Sequence, residues 1–378
     1  MLEILNPRHG AILSRNDGQE GDDALLITVA GCADPFLPVT VNGAAAERDG
    51  AGFSAPVRLT KRITKITAEA TTVRGVKAQT IRVVWDKKSF KRYRFFIDDN
   101  VFFLQDIATH SYHSIFECFY LDWMRTLHKR YGTKVVLNLF HRNDHDPHKF
   151  EITAVPDKYR SEWRDNSGWL KLSFHAYSEF PDYPYSLPCP DRLARDYDAT
   201  RGQIVRFAGE ETFCPPIVIH FAQCHPANFG VLKERGVKVL CGQFTNAFVG
   251  PGYKPPSPFS IGDIGYYLDE ERAAYLWSHT AIHDFDYDIT FMKGTACCNR
   301  NPAPELLRQL EEKYANPHGN DVLGLASHEQ YSFPFYHNYL PDHFERMDAV
   351  CRSVTEHGYK PVWFQEGFLG NTTMASER

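Results

Sequence analysis

The feature that most constrains the fold is an alternation of two periodicities beyond residue 93. Short apolar segments with strand-like character are separated by segments in which apolar residues recur at helical spacing, as in 303–315 and 342–358. Alternating strands and helices predict an α/β domain built on a mostly parallel sheet. The predicted strands are FFID (95–98), KVVLNLF (134–140), WLKLSFHA (169–176), PIVIH (216–220), VKVLCGQF (237–244), VLGLASHEQY (322–331) and PVWFQEG (361–367).

Ionisable residues stand at or near the ends of these predicted strands. Because the carboxyl ends of the strands share one face of an α/β barrel, we expect these side chains to meet there. A doubly wound open sheet is the alternative architecture. The chain contains neither GxGxxG nor GxxxxGK[ST], which removes support for dinucleotide and P-loop nucleotide sites. The strand-end residues are Asp98, Asp99, His175, His220, His328 and Glu366.

Residues 1–88 differ in character, with short strand signals separated by turns such as Asn42-Gly43 and Asp49-Gly50. This spacing predicts an antiparallel β-sandwich, and it resembles the immunoglobulin-like modules attached to bacterial carbohydrate-active enzymes. We therefore expect two domains, a sandwich over 1–88 and a barrel over 93–378. The sandwich would shield a barrel edge or mediate assembly into a homo-oligomer, and glycan binding is its alternative role. Its predicted strands are 24–31, 38–43, 52–59, 64–72 and 78–86.

Charge and apolar patterning narrow the class of partner. The formal net charge is −5 and no basic run occurs, so nucleic acid is not an expected partner. No apolar segment approaches the roughly 20 residues that cross a bilayer, and the first residues lack a signal-peptide pattern. We expect a cytoplasmic protein that acts on a small molecule or oligosaccharide. Nine cysteines are scattered without metal-site spacing, which predicts buried thiols.

The strand-end residues are those that a hydrolytic metal site needs. Hydrolysis of an amide or ester near neutral pH is assisted by a divalent metal that acidifies water and polarises the carbonyl. A nearby base must take the proton of the water, and a second group must protonate the leaving group. Two adjacent aspartates fit such a site, because one can bind the metal while the other, ionised nearby, acts as the base. The candidate residues for this chemistry are Asp98, Asp99, His175, Glu179 and His220.

The motifs FIDDN (96–100), FHAYSEF (174–180) and LASHEQY (325–331) resemble those of the polysaccharide deacetylase (NodB-homology) superfamily. The resemblance covers about residues 93–367 and implies an irregular (β/α)7 barrel. By this resemblance Asp99 and His175 bind one divalent metal, Asp98 is the base and His328 is the general acid. Zinc is the expected ion, with nickel, cobalt, iron and manganese as alternatives.

The chain departs from the family pattern at three places. Asn100 stands where the family has glycine, Glu179 stands where it has its second histidine, and CHPANFG (224–230) places His225 where arginine is usual. These departures indicate a divergent branch. The third ligand is therefore either Glu179, which has the family spacing, or His220, which we favour because imidazole is a common ligand of transition metals.

Substrate contacts are expected from the aromatic loop that follows His175, through Tyr177, Phe180, Tyr183 and Tyr185, and from Glu329. Two other functions compete on the same rim. One is a metal-independent glycosidase using Asp98 and Glu366, and the other is a non-catalytic glycan-binding protein. In the purely structural alternatives, the aspartates cap the next helix and the histidines are core residues. The segment HRNDHDPH (141–148) is expected to be a solvated loop, because its spacing matches no established ligand pattern, and metal binding is its alternative.

Overall fold

The computed structural model describes residues 1–242 and 270–373, which fall into two compact units. The first unit contains residues 1–90, 281–290 and 371–373. The second contains the described residues of 91–280 and 291–370. The protein is therefore a mixed α/β chain with several sheets, in which an all-β segment precedes an α/β segment.

The first unit contains two five-stranded sheets. Strands β1 (Leu2–Asn6), β4 (Leu25–Ala33), β8 (Gly52–Leu59) and β7 (Glu47–Asp49) lie in that order in one sheet, where β3 (Gln19–Glu20) also pairs with β4. The second sheet has the order β2 (Ile12–Leu13), β10 (Gly75–Trp85), β9 (Ile63–Thr72), β5 (Val39–Val41) and β6 (Ala44–Ala45).

Alternation along these strands explains the layering of the first unit. In β4 the buried residues alternate with more exposed ones, as expected for a strand that packs one face on a core. Strand β1 of one sheet contacts β9 and β10 of the other. The five predicted strands correspond to β4, β5, β8, β9 and β10. An immunoglobulin-like topology stays a prediction.

The second unit is organised around a parallel sheet. Its strands are β13 (Leu170–Ala176), β12 (Val135–Phe140), β11 (Arg92–Asn100), β18 (Val322–His328) and β17 (Ala296–Cys297), in that spatial order. Strand β19 (Lys360–Pro361) pairs with β11 at Arg92 and Tyr93. All nine residues of β11 are buried, so the central strand has no solvent face.

Helices connect the strands of the second unit. In chain order they are α1 (Phe102–His110), α2 (Phe119–Tyr131), α3 (Arg160–Asp165), α4 (Pro190–Ala208), α5 (Phe229–Glu234), α6 (Glu270–Ser278), α7 (Ala303–Ala315) and α8 (His343–Glu356). Of the remaining strands, β14 (Val239–Gly242) belongs to the second unit, β15 (Ala281–Asp284) to the first, and β16 (Ile289–Lys293) begins in the first unit and ends in the second. Helix α2 ends at Gly132, whose φ of +69° is accessible to glycine at little cost. The helices among the described residues are each too short or too polar to span a bilayer.

The alternation of strands and helices is confirmed, and two predicted strands are corrected. Residues 216–220 are not a strand, because Pro215 and Pro216 lack the N–H groups that a sheet ladder uses and the chain turns at Phe221 with a φ of +63°. In the last predicted strand only β19 forms. Glu366 lies exposed in the turns that follow it, rather than at a strand end.

The closed barrel stays a prediction. Among the described residues, the parallel sheet is an open series with β13 and β17 at its edges. Gln243 and Phe244, which end the predicted strand 237–244, lie outside the described residues. The sheet nevertheless brings the ends of β11, β13 and β18 to one edge, because all three strands run parallel.

Candidate metal centre

Three buried side chains meet at the carboxyl edge of the parallel sheet. Nε2 of His175 lies 3.1 Å from Oδ1 of Asp99, and Nδ1 of His220 lies 3.3 Å from the same oxygen. The two imidazoles are 3.2 Å apart, measured from His220 Nδ1 to His175 Nε2. One ligand atom from each residue lies within 4.8 Å of the others, which is the spacing of a metal-binding triad.

The carboxylate of Asp99 is presented by an irregular strand end. The register of β11 against β12 shifts between Ile97 and Asn100, and Asp99 has a φ of +60°. The Asn100 side chain holds this turn, because its amide donates to the carbonyl of Ile97 at 2.6 Å and its Oδ1 accepts from the Tyr120 hydroxyl at 2.9 Å. Bulges of this kind re-aim side chains beside functional sites.

Oδ1 of Asp99 is buried and makes no hydrogen bond of acceptable geometry, although two ring nitrogens lie close to it. A buried carboxylate oxygen without a hydrogen bond carries a free-energy cost that a cation would offset. The donor set therefore fits a divalent metal held by one carboxylate oxygen and two imidazole nitrogens.

Backbone carbonyl groups orient both imidazoles. Nδ1 of His175 faces the carbonyl oxygen of Val218 at 3.3 Å, and Nε2 of His220 faces that of Glu179 at 3.1 Å. If each of these nitrogens donates its proton to the carbonyl, Nε2 of His175 and Nδ1 of His220 are left with lone pairs directed toward Asp99. This is the arrangement by which outer groups fix the tautomer of metal-binding histidines.

Asp98 lies beside the triad and differs from Asp99 in its environment. Its Oδ1 accepts a hydrogen bond from the amide of Asn138 at 2.6 Å and lies 3.8 Å from Nδ1 of His175. Burial raises the pKa of Asp98, with the charge of His175 opposing it. Burial alone would also raise the pKa of Asp99, but His175 and His220 in their protonated forms, with the charge of His328, outweigh it and hold that pKa well below its usual range.

His328 approaches the triad from β18, directly opposite Asp98 in the sheet register. Its Nε2 lies 4.0 Å from Oδ2 of Asp99, and its Nδ1 lies 2.9 Å from Oδ1 of Asn299. Burial alone would lower the pKa of His328. The thiol of Cys297 and the carboxylate of Asp99 outweigh it and raise the pKa to about 10.

Glu179 contributes its backbone to the triad, and its carboxylate is engaged elsewhere. The carboxylate pairs with Nε2 of His145 and accepts a hydrogen bond from the side-chain amide of Gln330 at 2.9 Å. Among the described residues, the converging ligand group consists of Asp99, His175 and His220. Of the two residues considered for the third ligand, His220 joins the converging group, and Glu179 supports His220 through its backbone carbonyl.

The expected substrate residues occupy different environments. Tyr185 is fully buried, and its hydroxyl donates to Asp196 at 2.9 Å, which places it in the interior of the second unit. Tyr183 is partly exposed and its ring lies 4.5 Å from that of Phe221. Tyr177 is partly exposed, and its hydroxyl donates to Glu151 at 3.0 Å.

Glu329 is also buried, and its carboxylate holds the first turn of α1. It accepts the N–H groups of Val101, Phe102 and Phe103 at 2.6, 2.8 and 2.6 Å. These donors are the ones that a helix N-terminus leaves without intrahelical partners. The residue that satisfies them is thus Glu329, whereas the structural alternative for Asp98 and Asp99 assigned them this capping role.

Several residues of the centre were missed by the sequence analysis. Asn138 is a polar residue inside the buried strand β12, which was a signal that could have been used. Asn299 follows β17, a strand of two residues that is too short to show a period. The segment 141–148 is a loop in which His145 and His148 are exposed, as expected, whereas His141 is buried and stacks on Tyr177 and His145 pairs with Glu179.

No protein-family model matches the chain, and no curated protein matches it. Solved structures that it resembles include deacetylases at low similarity. A family 4 acetyl xylan esterase from Clostridium thermocellum is 12% identical with a TM-score of 0.35, and the match covers 72% of this chain and 87% of that one. The peptidoglycan deacetylase PdaC from Bacillus subtilis is 11% identical with a TM-score of 0.32, over 72% and 87%.

A modular endo-beta-1,4-mannanase from Cellulomonas fimi is 22% identical with a TM-score of 0.17. That match covers 22% of this chain and spans only 18% of the mannanase. Because these TM-scores and identities are low, we base the function on the geometry of the centre.

Proposed function

We propose that the protein is a metal-dependent hydrolase that removes an acyl group from a carbohydrate or a related N- or O-acylated small molecule. The observation that carries this proposal is the buried triad of Asp99, His175 and His220, in which Oδ1 of Asp99 lacks a hydrogen bond of acceptable geometry. We also infer a divergent deacetylase-type (β/α)7 barrel preceded by an immunoglobulin-like module.

Asp99, His175 and His220 would hold one divalent cation. Zinc is our first choice, because two imidazoles and a carboxylate suit it, and nickel, cobalt, iron and manganese accept the same donors. When bound, such a cation acidifies water and polarises a carbonyl group. The protein supplies a water-poor setting for this chemistry, since all three side chains are buried.

Two further side chains are arranged to move protons. Asp98 accepts the proton of the water whose oxygen forms a bond to the acyl carbon, and the amide of Asn138 fixes the orientation of its carboxylate. His328 donates a proton to the nitrogen or oxygen that leaves when the acyl bond breaks. The reaction therefore yields a carboxylic acid and a free amine or alcohol, with no further reactant needed.

The competing glycosidase lacks a supporting arrangement of carboxylates. Glu366 is exposed after β19, which pairs with the first residues of β11, whereas Asp98 lies near the end of β11. A non-catalytic binding protein would keep the same residues without hydrolysing the ligand. Only a measurement of turnover separates it from the hydrolase.

Elemental analysis of the purified protein, beside a His175→Ala variant, tests the metal site. We expect about one equivalent of a transition metal in the wild type and loss of it in the variant. A panel of acetylated sugars and acetylated aryl compounds then tests hydrolysis. Absence of metal after soaking with each ion would reject the hydrolase, and bound metal without turnover of the panel would favour the binding protein.

A further inference from the structure

A cavity of about 620 Å³ opens within the second unit. Its walls come from α1, from the first residue of α2, from the segment after β12 and from the segment after β18. A volume of this size accommodates a small organic group. The side chains that matter for what it binds are Phe102, Phe119, Phe333, Phe335, Tyr336 and His145.

Aromatic rings form one continuous wall of this cavity. The ring of Phe102 lies 5.4 Å from that of Phe333 and 5.2 Å from that of Phe335, measured between centroids. Phe333 in turn lies 5.0 Å from Phe119. Phe335 is 71% exposed, so a flat ring face of the wall is open to a ligand. Such rings bind other aromatic groups by offset or edge-to-face contact.

The polar side chains around the wall are paired within the protein. Asp106 forms an ion pair with His110 and accepts from the Tyr112 hydroxyl at 3.2 Å. Asn143 donates to Gln105 at 2.6 Å and accepts the N–H of His145 at 2.9 Å. The hydroxyl groups of a sugar ring would have to compete with these internal pairs for hydrogen bonds, whereas an aromatic ring meets the exposed ring faces without that competition.

The wall of the cavity is linked to the candidate metal centre through His145 and Glu179. Phe102 follows Asp99 by three positions, and Phe333 follows His328 by five. His145 lines the cavity and is bonded to the carboxylate of Glu179, whose carbonyl accepts from His220. For a group seated in the cavity to belong to the substrate, the molecule must extend from the cavity past His145 to the triad.

We propose that this cavity binds an apolar, planar part of the substrate, an aromatic ring, so that the preferred substrates are acylated aryl amines or aryl alcohols. This inference rests on the proposed hydrolase function and chooses among its substrates. The aromatic wall supplies the attraction, while the internally paired polar groups disfavour a saturated sugar ring.

Binding measured directly by calorimetry on the metal-loaded protein tests the proposal. The probes are N-(2-naphthyl)acetamide and di-N-acetylchitobiose, and turnover is followed separately. We expect the naphthyl compound to bind at least about tenfold more tightly than the sugar. Phe335→Ala should weaken naphthyl binding about five- to tenfold, which corresponds to the loss of one aromatic pair. Phe36→Ala, which removes a 92% exposed ring in the first unit, is the matched control and should change nothing.

The outcomes separate this inference from the hydrolase itself. Tighter binding of the sugar, or unchanged naphthyl binding in Phe335→Ala, would overturn the aromatic cavity even if acetylated compounds are hydrolysed. Naphthyl binding that depends on Phe335, without any hydrolysis, would support the cavity and reject the proposed reaction.

Discussion

The backbone carbonyl oxygen of Glu179 lies 3.1 Å from Nε2 of His220 and fixes which nitrogen of that imidazole faces Asp99. The Glu179 side chain is itself held by His145 and Gln330. The side chain and the backbone carbonyl of Glu179 are therefore both engaged. Glu179, which has the family spacing of a metal ligand, thus supports His220, which comes from another segment.

Replacing Glu179 with alanine should weaken metal binding without abolishing it. Loss of a group that orients a ligand lowers metal affinity by about 10- to 100-fold, whereas His220→Ala should remove stoichiometric binding. Competition with a chromophoric chelator measures both. Glu210→Ala, which removes an exposed carboxylate paired with Arg201, is the control. Complete loss of metal in Glu179→Ala would instead make its carboxylate a ligand.

The variant Asp98→Asn should retain the metal and lose turnover. The amide keeps the shape of the side chain but cannot accept the proton of water, so we expect kcat to fall by about 10²- to 10⁴-fold. Elemental analysis and kinetics on the same preparation measure the two quantities. Asp165→Asn, at the exposed last residue of α3, should match the wild type. Normal activity in Asp98→Asn would remove Asp98 from the mechanism.

The loss of activity in His328→Ala should depend on the leaving group of the substrate. An amine leaves only when protonated, whereas a phenolate leaves readily without a proton, so the general acid matters more for amides. We expect a loss of at least about 10²-fold on an acetylated aryl amine and a clearly smaller loss on an aryl acetate. Asn299→Ala, which removes the partner of Nδ1, should show the same ordering more weakly. Equal losses on both substrates would contradict the acid role.

The sequence anticipated the parts of the centre that depend on strand ends. Asp99 and His175 end buried strands of a parallel sheet, and that topology alone brings them together. His220 arrives without the predicted strand, because prolines preclude the ladder and a turn at Phe221 delivers the imidazole instead. Such a turn has no sequence period to detect.

Loop side chains could not be assigned in the same way. Spacing suggested that the Glu179 carboxylate points at the metal, but its direction is decided by His145, 34 residues earlier in the chain. Tyr185 lies in a segment that the sequence predicts to be a loop, yet the structure buries its side chain, and its hydroxyl donates to Asp196 on α4. These contacts link segments distant in sequence, and a single sequence does not record which partner a polar side chain finds.

Acid should destabilise the fold through His343, a buried histidine at the start of α8. Its imidazole is fully buried between the hydroxyls of Ser327 and Ser332, at 2.7 and 2.8 Å. Burial, reinforced by the charge of His328, lowers the pKa of His343 from 6.5 to about 3. Between these values the unfolded chain binds a proton that the native protein does not, so stability falls as the pH falls. The slope from this group is at most about 1.4 kcal/mol per pH unit.

Urea unfolding between pH 4 and 7 (about the window in which His343 acts), in the presence of a chelator, measures this slope. His343→Gln removes the titrating group while keeping hydrogen-bonding capacity toward the two serines, so we expect a lower stability at neutral pH but a pH dependence shallower by nearly one proton. His113→Gln, at an exposed position, should leave the slope as in the wild type. An unchanged slope in His343→Gln would show that the buried imidazole is protonated in the native protein, because only then do both states bind the same proton as the pH falls.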